Sequence, residues 1–174
     1  MTHLEELLKE YYEWLGHVVK CNVLVGKRAL GGYEMELDIV AYDPKKNRIL
    51  HVEPSLDASS WSKREPRFAK KFKAGRKYIL SDLFQWLPRT TEIIQRAILI
   101  SCPEHRRKLA DADVLSVDEM IGEIKREISC RGIASRAAVS ERYPLLRTMQ
   151  FTICGYYGLV DNTANEKRRA AIEA

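Results

Sequence analysis

The 174 residues can bury one core of ordinary domain size, and 45% hydrophobic with 30% charged residues is a globular composition. No apolar run approaches the roughly 20 residues that span a bilayer, and Glu5, Glu6, Lys9 and Glu10 break up any signal-peptide core, so no membrane partner and a cytoplasmic location are expected. The net charge of +5 is unevenly spread, with Lys63, Arg64, Arg67, Lys70, Lys71, Lys73, Arg76 and Lys77 set against the single acid Glu65.

Thr2 and Glu5 have the spacing of a capping box, and Leu4, Leu7, Leu8, Tyr11, Trp14 and Leu15 form one stripe, predicting a first helix that Gly16 ends. Residues 17–27 read as a strand, 29–32 as a turn and 33–42 as a second strand. Asp43-Pro44-Lys45-Lys46-Asn47 is turn chemistry, and 48–53 read as a third strand. A polar connection with Asp57, Ser59, Ser60 and Ser62 leads into a helix over about 66–82, striped by Phe68, Phe72, Gly75 and Ile79. The apolar run 97–101 predicts a strand covered on both faces. A short helical piece follows at 106–110, then a strand at 114–117 and a helix over 119–129 capped by Asp118 and striped by Met120, Ile124 and Ile128.

Beyond Gly132 the pattern weakens. Residues 136–149 read as a helix interrupted by Pro144, 151–157 as a strand or packing segment, and the polar tail 161–174 as disordered. This order predicts an α/β fold with a mixed sheet flanked by helices, in a single domain over 1–160 with its core at about 4–130 and a C-terminal extension at 131–160. Cys21, Cys102, Cys130 and Cys154 are too far apart for a ligand pair, as are His3, His17, His51 and His105, so buried reduced thiols are expected instead of disulfides or zinc.

The acids carry the chemistry. Alternation puts Glu34, Glu36 and Asp38 on one face of the second strand, with Met35, Leu37 and Ile39 on the other, while His51, Glu53 and Ser55 share a face of the third. Paired as a hairpin, these acids would stand roughly 5 Å from their neighbours, an expensive cluster that invites a divalent cation or lysines. The basic stretch that follows is either a footprint for phosphates or a solvated helix face.

An acid-rich hairpin set between an N-terminal helix and a basic helix resembles the PD-(D/E)XK nuclease superfamily, which includes restriction endonucleases and archaeal-type Holliday junction resolvases. The resemblance covers about 4–102 and implies a restriction endonuclease-like αβββαβ core and metal-dependent hydrolysis of DNA, with RNA left open as a competing substrate. That family presents an Asp from the second strand and Glu-X-Lys on the third. Asp38 matches the first position, and Glu53-Pro54-Ser55 falls where Glu-X-Lys should be. The resemblance implies that Asp38 and Glu53 hold Mg²⁺ or Mn²⁺, with the Pro54 carbonyl as a third oxygen and Glu36 as a helper. A first-helix Glu often joins such sites, which makes Glu5 and Glu6 candidates, although acids at a helix N-terminus also favour its dipole. Members that cut both strands commonly act as dimers, so a homodimer is an open expectation. Tyr143, Leu145, Leu146, Phe151, Tyr156 and Tyr157 could supply its interface or complete the core.

Ser55 stands where the family keeps its lysine, the residue that positions or activates the attacking water and offsets transition-state charge. A serine hydroxyl can hold a water but brings no positive charge. In one reading the charge has moved to the following helix, with Lys71, on the flank of the Phe68-centred stripe, as first choice and Arg64 and Lys63 behind it. In the other the domain binds nucleic acid without cleaving it, gripping phosphates through Lys63, Arg64, Arg67, Lys70 and Lys71. Trp61 either stacks on bases or is partly buried against the sheet. His51, two residues from Glu53, either transfers a proton or orients Glu53.

Overall fold

The computed structural model describes residues 1–129, 131–134, 136 and 138–158. Helix α1 (His3–Trp14) opens with the expected capping box: Glu5 N–H donates to Thr2 Oγ1 at 3.3 Å and Thr2 N–H to Glu5 Oε2 at 2.9 Å. Three strands follow, β1 (Val18–Lys27), β2 (Tyr33–Asp43) and β3 (Arg48–Ser55), then α2 (Trp61–Tyr78), whose end runs into a π-helical turn at Ile79–Leu83. The remaining elements are β4 (Glu92–Leu99), β5 (Lys108–Leu109), β6 (Ala112–Ser116), α3 (Val117–Ser129), α4 (Pro144–Ile153) and a 3₁₀ turn at Tyr156–Gly158.

The fold is α/β, built on a six-stranded mixed sheet in the order β1-β2-β3-β4-β6-β5. β1/β2, β2/β3 and β5/β6 pair antiparallel, whereas β3/β4 and β4/β6 pair parallel. The parallel β3/β4 pair needs a crossover, and α2 provides it. Ala74 and Ile79 pack with Val40, Tyr42 and Ile49, while Phe68 and Phe72 pack with Ala97, Leu99 and Val114. Helix α2 therefore lies across the strands that carry Asp38 and Glu53, and its register along them decides which basic side chain meets the acids.

By compactness the chain divides into Met1–Met120 and Ile121–Ala174. The first unit holds the whole sheet, α1, α2 and every candidate site residue. In the second, Gln150 is fully buried, donating to the Arg131 carbonyl at 3.1 Å and accepting from Val139 N–H at 3.2 Å and Arg147 Nη1 at 2.7 Å. Among the described residues no helix is long and apolar enough to cross a membrane.

Several elements differ from the sequence expectation, each for a local reason. Helix α2 starts at Trp61, with Ser60 in extended conformation before it, so Pro66 lies inside the helix. Proline costs one backbone hydrogen bond there, on an exposed stretch where water can serve the freed carbonyl. The piece at 106–110 is not helical. Ala110 and Asp111 (φ 49° and 69°) form a two-residue turn that pairs Leu109 with Ala112, and positive φ at both positions is the twist a tight hairpin needs. Helix α3 is capped by Ser116 and not by Asp118: Glu119 N–H donates to Ser116 Oγ at 3.1 Å and Ser116 N–H to Glu119 Oε2 at 2.8 Å. Pro144 begins α4 where a break had been expected, because a first-turn proline leaves no bond unmade. Phe151 ends up in that helix and not in a strand. Cys21, Cys102 and Cys154 are free thiols, half-buried where full burial was expected. Cys130 and the tail from 161 lie outside the described residues.

Candidate active site

Strands β2 and β3 are in register from Ile39 opposite Val52 to Asp43 opposite Arg48, which sets Asp38 and Glu53 one step beyond the last registered pair. There Asp38 N–H donates to Glu53 Oε1 at 3.2 Å. On its other side the β1 ladder passes from Cys21/Ile39 to Val23/Leu37, skipping Asn22, whose φ is 49°. The expected two-residue alternation does not hold through this point. Met35, of the opposite parity to Asp38, lines a groove against α2, and Leu37 packs in one cluster with Val40 and Tyr42.

The acids consequently do not gather as one row. Glu36 is exposed, registers with Leu24 and takes no part in the contacts of Asp38 and Glu53. Glu34 is tied to Tyr78 Oη and, at 3.4 Å, to Lys77 Nζ. Glu5 is spent on the α1 cap, and Glu6 pairs with Lys9 at 2.9 Å. Asp38 and Glu53 alone converge.

Lys71 is the third member. Its Nζ donates to Asp38 Oδ1 at 2.6 Å and also to Glu53 Oε2, so one ammonium bridges the two carboxylates and bounds the separation of those oxygens at about 5 Å. The position follows from the helical stripe. Phe68, Phe72 and Gly75 face the sheet, and Lys71 lies on their flank, where its stem runs down to the strands. Glu53 is 1% exposed at its side chain, Asp38 18% and Lys71 22%, so the pair is reached from solvent on the Asp38 side.

Burial dominates the electrostatics. It lifts the Asp38 carboxyl from an ordinary 3.8 to about 6, helped by its hydrogen bond and charge repulsion with Glu53 and opposed by Lys71. Burial also raises Glu53, against the pull of its hydrogen bond with Asp38 and the Lys71 charge. Desolvation pulls Lys71 down, but Glu53 and Asp38 together outweigh it, so Lys71 stays protonated. With both acids ionised the triad carries a net charge of −1.

His51 stands behind Glu53 and is fully buried, with Nε2 2.8 Å from Glu53 Oε1 and its ring edge-on to Phe72. Burial and the nearby Lys71 charge lower its pKa to about 3, so the ring is neutral. Its other nitrogen, Nδ1, lies 2.9 Å from Gln95 Nε2. Both nitrogens are engaged inside the protein, which makes His51 a support for Glu53 and not a proton carrier open to solvent. Gln95 also donates to the Phe72 carbonyl at 2.8 Å and accepts from Arg76. Helix and histidine meet here without room to spare. A Cβ on Gly75 would lie 2.3 Å from His51 Nδ1.

Ser55 is directed elsewhere. Its hydroxyl donates to Asp57 Oδ2 at 2.6 Å and accepts from Arg67 at 3.2 Å. Asp57, held well below the usual carboxylate range by that hydroxyl and by Arg67, also takes the Ser59 N–H at 2.9 Å. Arg64, expected on the nucleic-acid face, is 5% exposed and donates to the Asp57 carbonyl. It sits one turn before Phe68 on the buried stripe, so it organises the turn into α2 and touches neither acid. Lys63, Lys70 and Lys73 are exposed, and with Lys77 they fall within about 80° of the helical wheel. Lys70 and Lys73 border a groove of about 270 Å³ beside β2. Trp61 is half-buried, with the Arg106 guanidinium 5.2 Å from its ring centroid.

The donor set fits a divalent cation in one respect: Asp38 Oδ1 and Glu53 Oε2 point at a single position, with a separation a shared ion at 2.0–2.6 Å could bridge. Lys71 Nζ occupies that position, and among the described residues no group of three His, Cys, Asp or Glu side chains is placed to hold a metal ion there or elsewhere. A cation would therefore need the Pro54 carbonyl and water to complete its shell, with Lys71 moving aside. Gln95, Arg76 and Asp57 are the site residues that sequence reasoning missed. The one signal was Gln95-Arg96 interrupting the apolar run of β4. Comparison of the chain with protein-family models, curated proteins and solved structures gives no match.

Proposed function

We propose that the Asp38–Glu53–Lys71 cluster is the active centre of a divalent-metal-dependent nuclease of the PD-(D/E)XK type that hydrolyses phosphodiester bonds in DNA. The observation that carries this reading is the contact of Lys71 Nζ with both carboxylates: the positive charge lacking at Ser55 is supplied from α2. Element order and the placement of Asp38 on β2 and Glu53 on β3 support it.

In this reading Asp38 Oδ1, Glu53 Oε2 and the Pro54 carbonyl would hold Mg²⁺ or Mn²⁺. The chemistry a bound ion supplies is polarisation of the phosphate and a lowered pKa for the attacking water. Lys71, moved aside by the ion, would donate to the phosphate oxygens as their charge grows. Asp38 must be ionised to serve, which its pKa of about 6 permits above that pH. The exposed Lys63, Lys70 and Lys73 draw the backbone onto α2, while His51 holds Glu53 from behind.

The same contact favours a second reading, in which Lys71 neutralises the acids permanently and the domain binds nucleic acid without cleaving it. Incubating supercoiled, linear and branched DNA, and RNA in parallel, with Mg²⁺ or Mn²⁺ separates the two. Cleavage that EDTA and Asp38→Ala both abolish supports the nuclease. Salt-sensitive binding without cleavage supports the module, and neither binding nor cleavage would refute both.

A further inference from the structure

We infer that Gln95, braced by Arg76, is a positioning residue that fixes the tautomer of His51 and through it the direction in which Glu53 presents its free oxygen. The inference rests on the proposed cation site for its functional consequence but not for its structural content. Each hydrogen bond in the series has only one permitted direction. Arg76 can only donate, so the Gln95 atom it meets is the carbonyl Oε1. The Phe72 carbonyl can only accept, so the Gln95 atom 2.8 Å from it is the amide nitrogen. These two contacts, made one turn apart on α2 to the two ends of the amide, set its orientation without appeal to the histidine.

The second hydrogen of that nitrogen points to His51 Nδ1 at 2.9 Å, which must then be a bare acceptor. The single ring hydrogen of neutral His51 is left on Nε2, where it donates to Glu53 Oε1 at 2.8 Å. Glu53 Oε1 thus receives two donors, His51 and the Asp38 N–H, and Oε2 is turned outward to Lys71. The opposite tautomer would set an Nδ1–H against the Gln95 amide hydrogens and a lone pair against the carboxylate. His51 is 0%, Glu53 1% and Gln95 8% exposed, so water does not readily substitute for a lost partner. Gly75 makes the series possible, since any Cβ there would occupy the ring's place. An outer carboxamide acting through a histidine on an ion-binding carboxylate is a device for precision, and losing such a partner typically costs about 10- to 100-fold in metal affinity.

The test uses the whole protein labelled with ¹⁵N-histidine, with Gln95→Met as the near-isosteric variant that removes both amide donors. In the wild type, long-range ¹H–¹⁵N spectra should show His51 as the Nε2–H tautomer, and Gln95→Met should lose that single form. Mn²⁺ titration should show affinity falling about tenfold or more in Gln95→Met, with cleavage reduced in parallel. An Nδ1–H tautomer in the wild type would overturn the inference, as would an unchanged tautomer or unchanged Mn²⁺ affinity in the variant. If the wild type binds no Mn²⁺, the nuclease reading fails by itself, and the tautomer comparison still decides the role of Gln95. Should Gln95→Met not fold, Arg76→Ala alters an exposed residue and should weaken the Nε2–H form and Mn²⁺ binding in the same direction. No change in either would count against the inference.

Discussion

Replacing Asp38 with Asn should make the protein more stable at neutral pH, by an amount that vanishes in acid. The folded protein holds the Asp38 proton with a pKa of about 6, against an ordinary 3.8. Folding is therefore favoured below about pH 4, and the advantage is lost as pH rises through 6, where the folded state must give up a proton the unfolded chain has already released. The difference corresponds to about 3 kcal/mol at pH 8. Asn mimics the protonated carboxyl, so Asp38→Asn should gain up to roughly that amount at pH 8 and almost nothing at pH 3.5. For a chain of this size the gain amounts to about 6–12 °C in Tm. Urea unfolding of both proteins in EDTA at several pH values reads the effect as a difference, cancelling every other titrating group. If the pair holds Mg²⁺ as proposed and Asp38→Asn no longer binds it, adding the ion should close part of the gap, because a ligand at ten times its Kd would stabilise the wild type by about 1.4 kcal/mol. An Asp38→Asn variant that is destabilised at pH 8, or whose gain is the same at pH 3.5 and pH 8, would refute the claim that the pair is held against its own desolvation.

If the wild type cleaves DNA, kcat/KM at subsaturating Mg²⁺ should fall below about pH 6 as Asp38 of the metal-free protein takes up its proton, and saturating Mg²⁺ should move that limb to lower pH by competing with the proton. Lys71→Met should lower cleavage by about 10²–10³, and cleavage at the wild-type rate would remove Lys71 from the mechanism. Gly75→Ala should destabilise by about 1–3 kcal/mol in urea unfolding, since the added Cβ meets His51 Nδ1 at 2.3 Å and the buried ring has nowhere to go. Lys70→Ala and Arg64→Ala should separate binding from structure. The first should leave stability within about 0.5 kcal/mol and reduce the salt dependence of DNA binding by about one counterion. The second should destabilise by about 1–3 kcal/mol, because the Asp57 carbonyl loses a buried donor.

The site was legible in part, and the division follows the range of the interactions. The hairpin that carries Asp38 and Glu53 could be read because it is a local structure, in which a short turn sets the register and the register sets who faces whom; singling out that pair among its acids rested on the family resemblance. Lys71 could be ranked first because its neighbours Phe68, Phe72 and Gly75 define a helix face over a single stretch of chain. Arg64 was misplaced because the helix was started at Pro66, and a residue outside a helix has no face. Ser55 looked like a defect of the motif. Its hydroxyl proves to be committed to Asp57, part of the turn that aims α2.

The amino-acid order by itself determined the α/β class, the first helix with its cap, the acidic hairpin and the basic helix after it, since each rests on periodicity or on contacts a few residues apart. Only the tertiary structure decided that Lys71 bridges both acids, that Glu34 and Glu36 stand aside, and that Gln95 stands behind His51. Those contacts join residues 18 to 44 positions apart. They depend on the packing of α2 on the sheet and on the parallel register that sets His51 beside Gln95, geometry that no local pattern encodes.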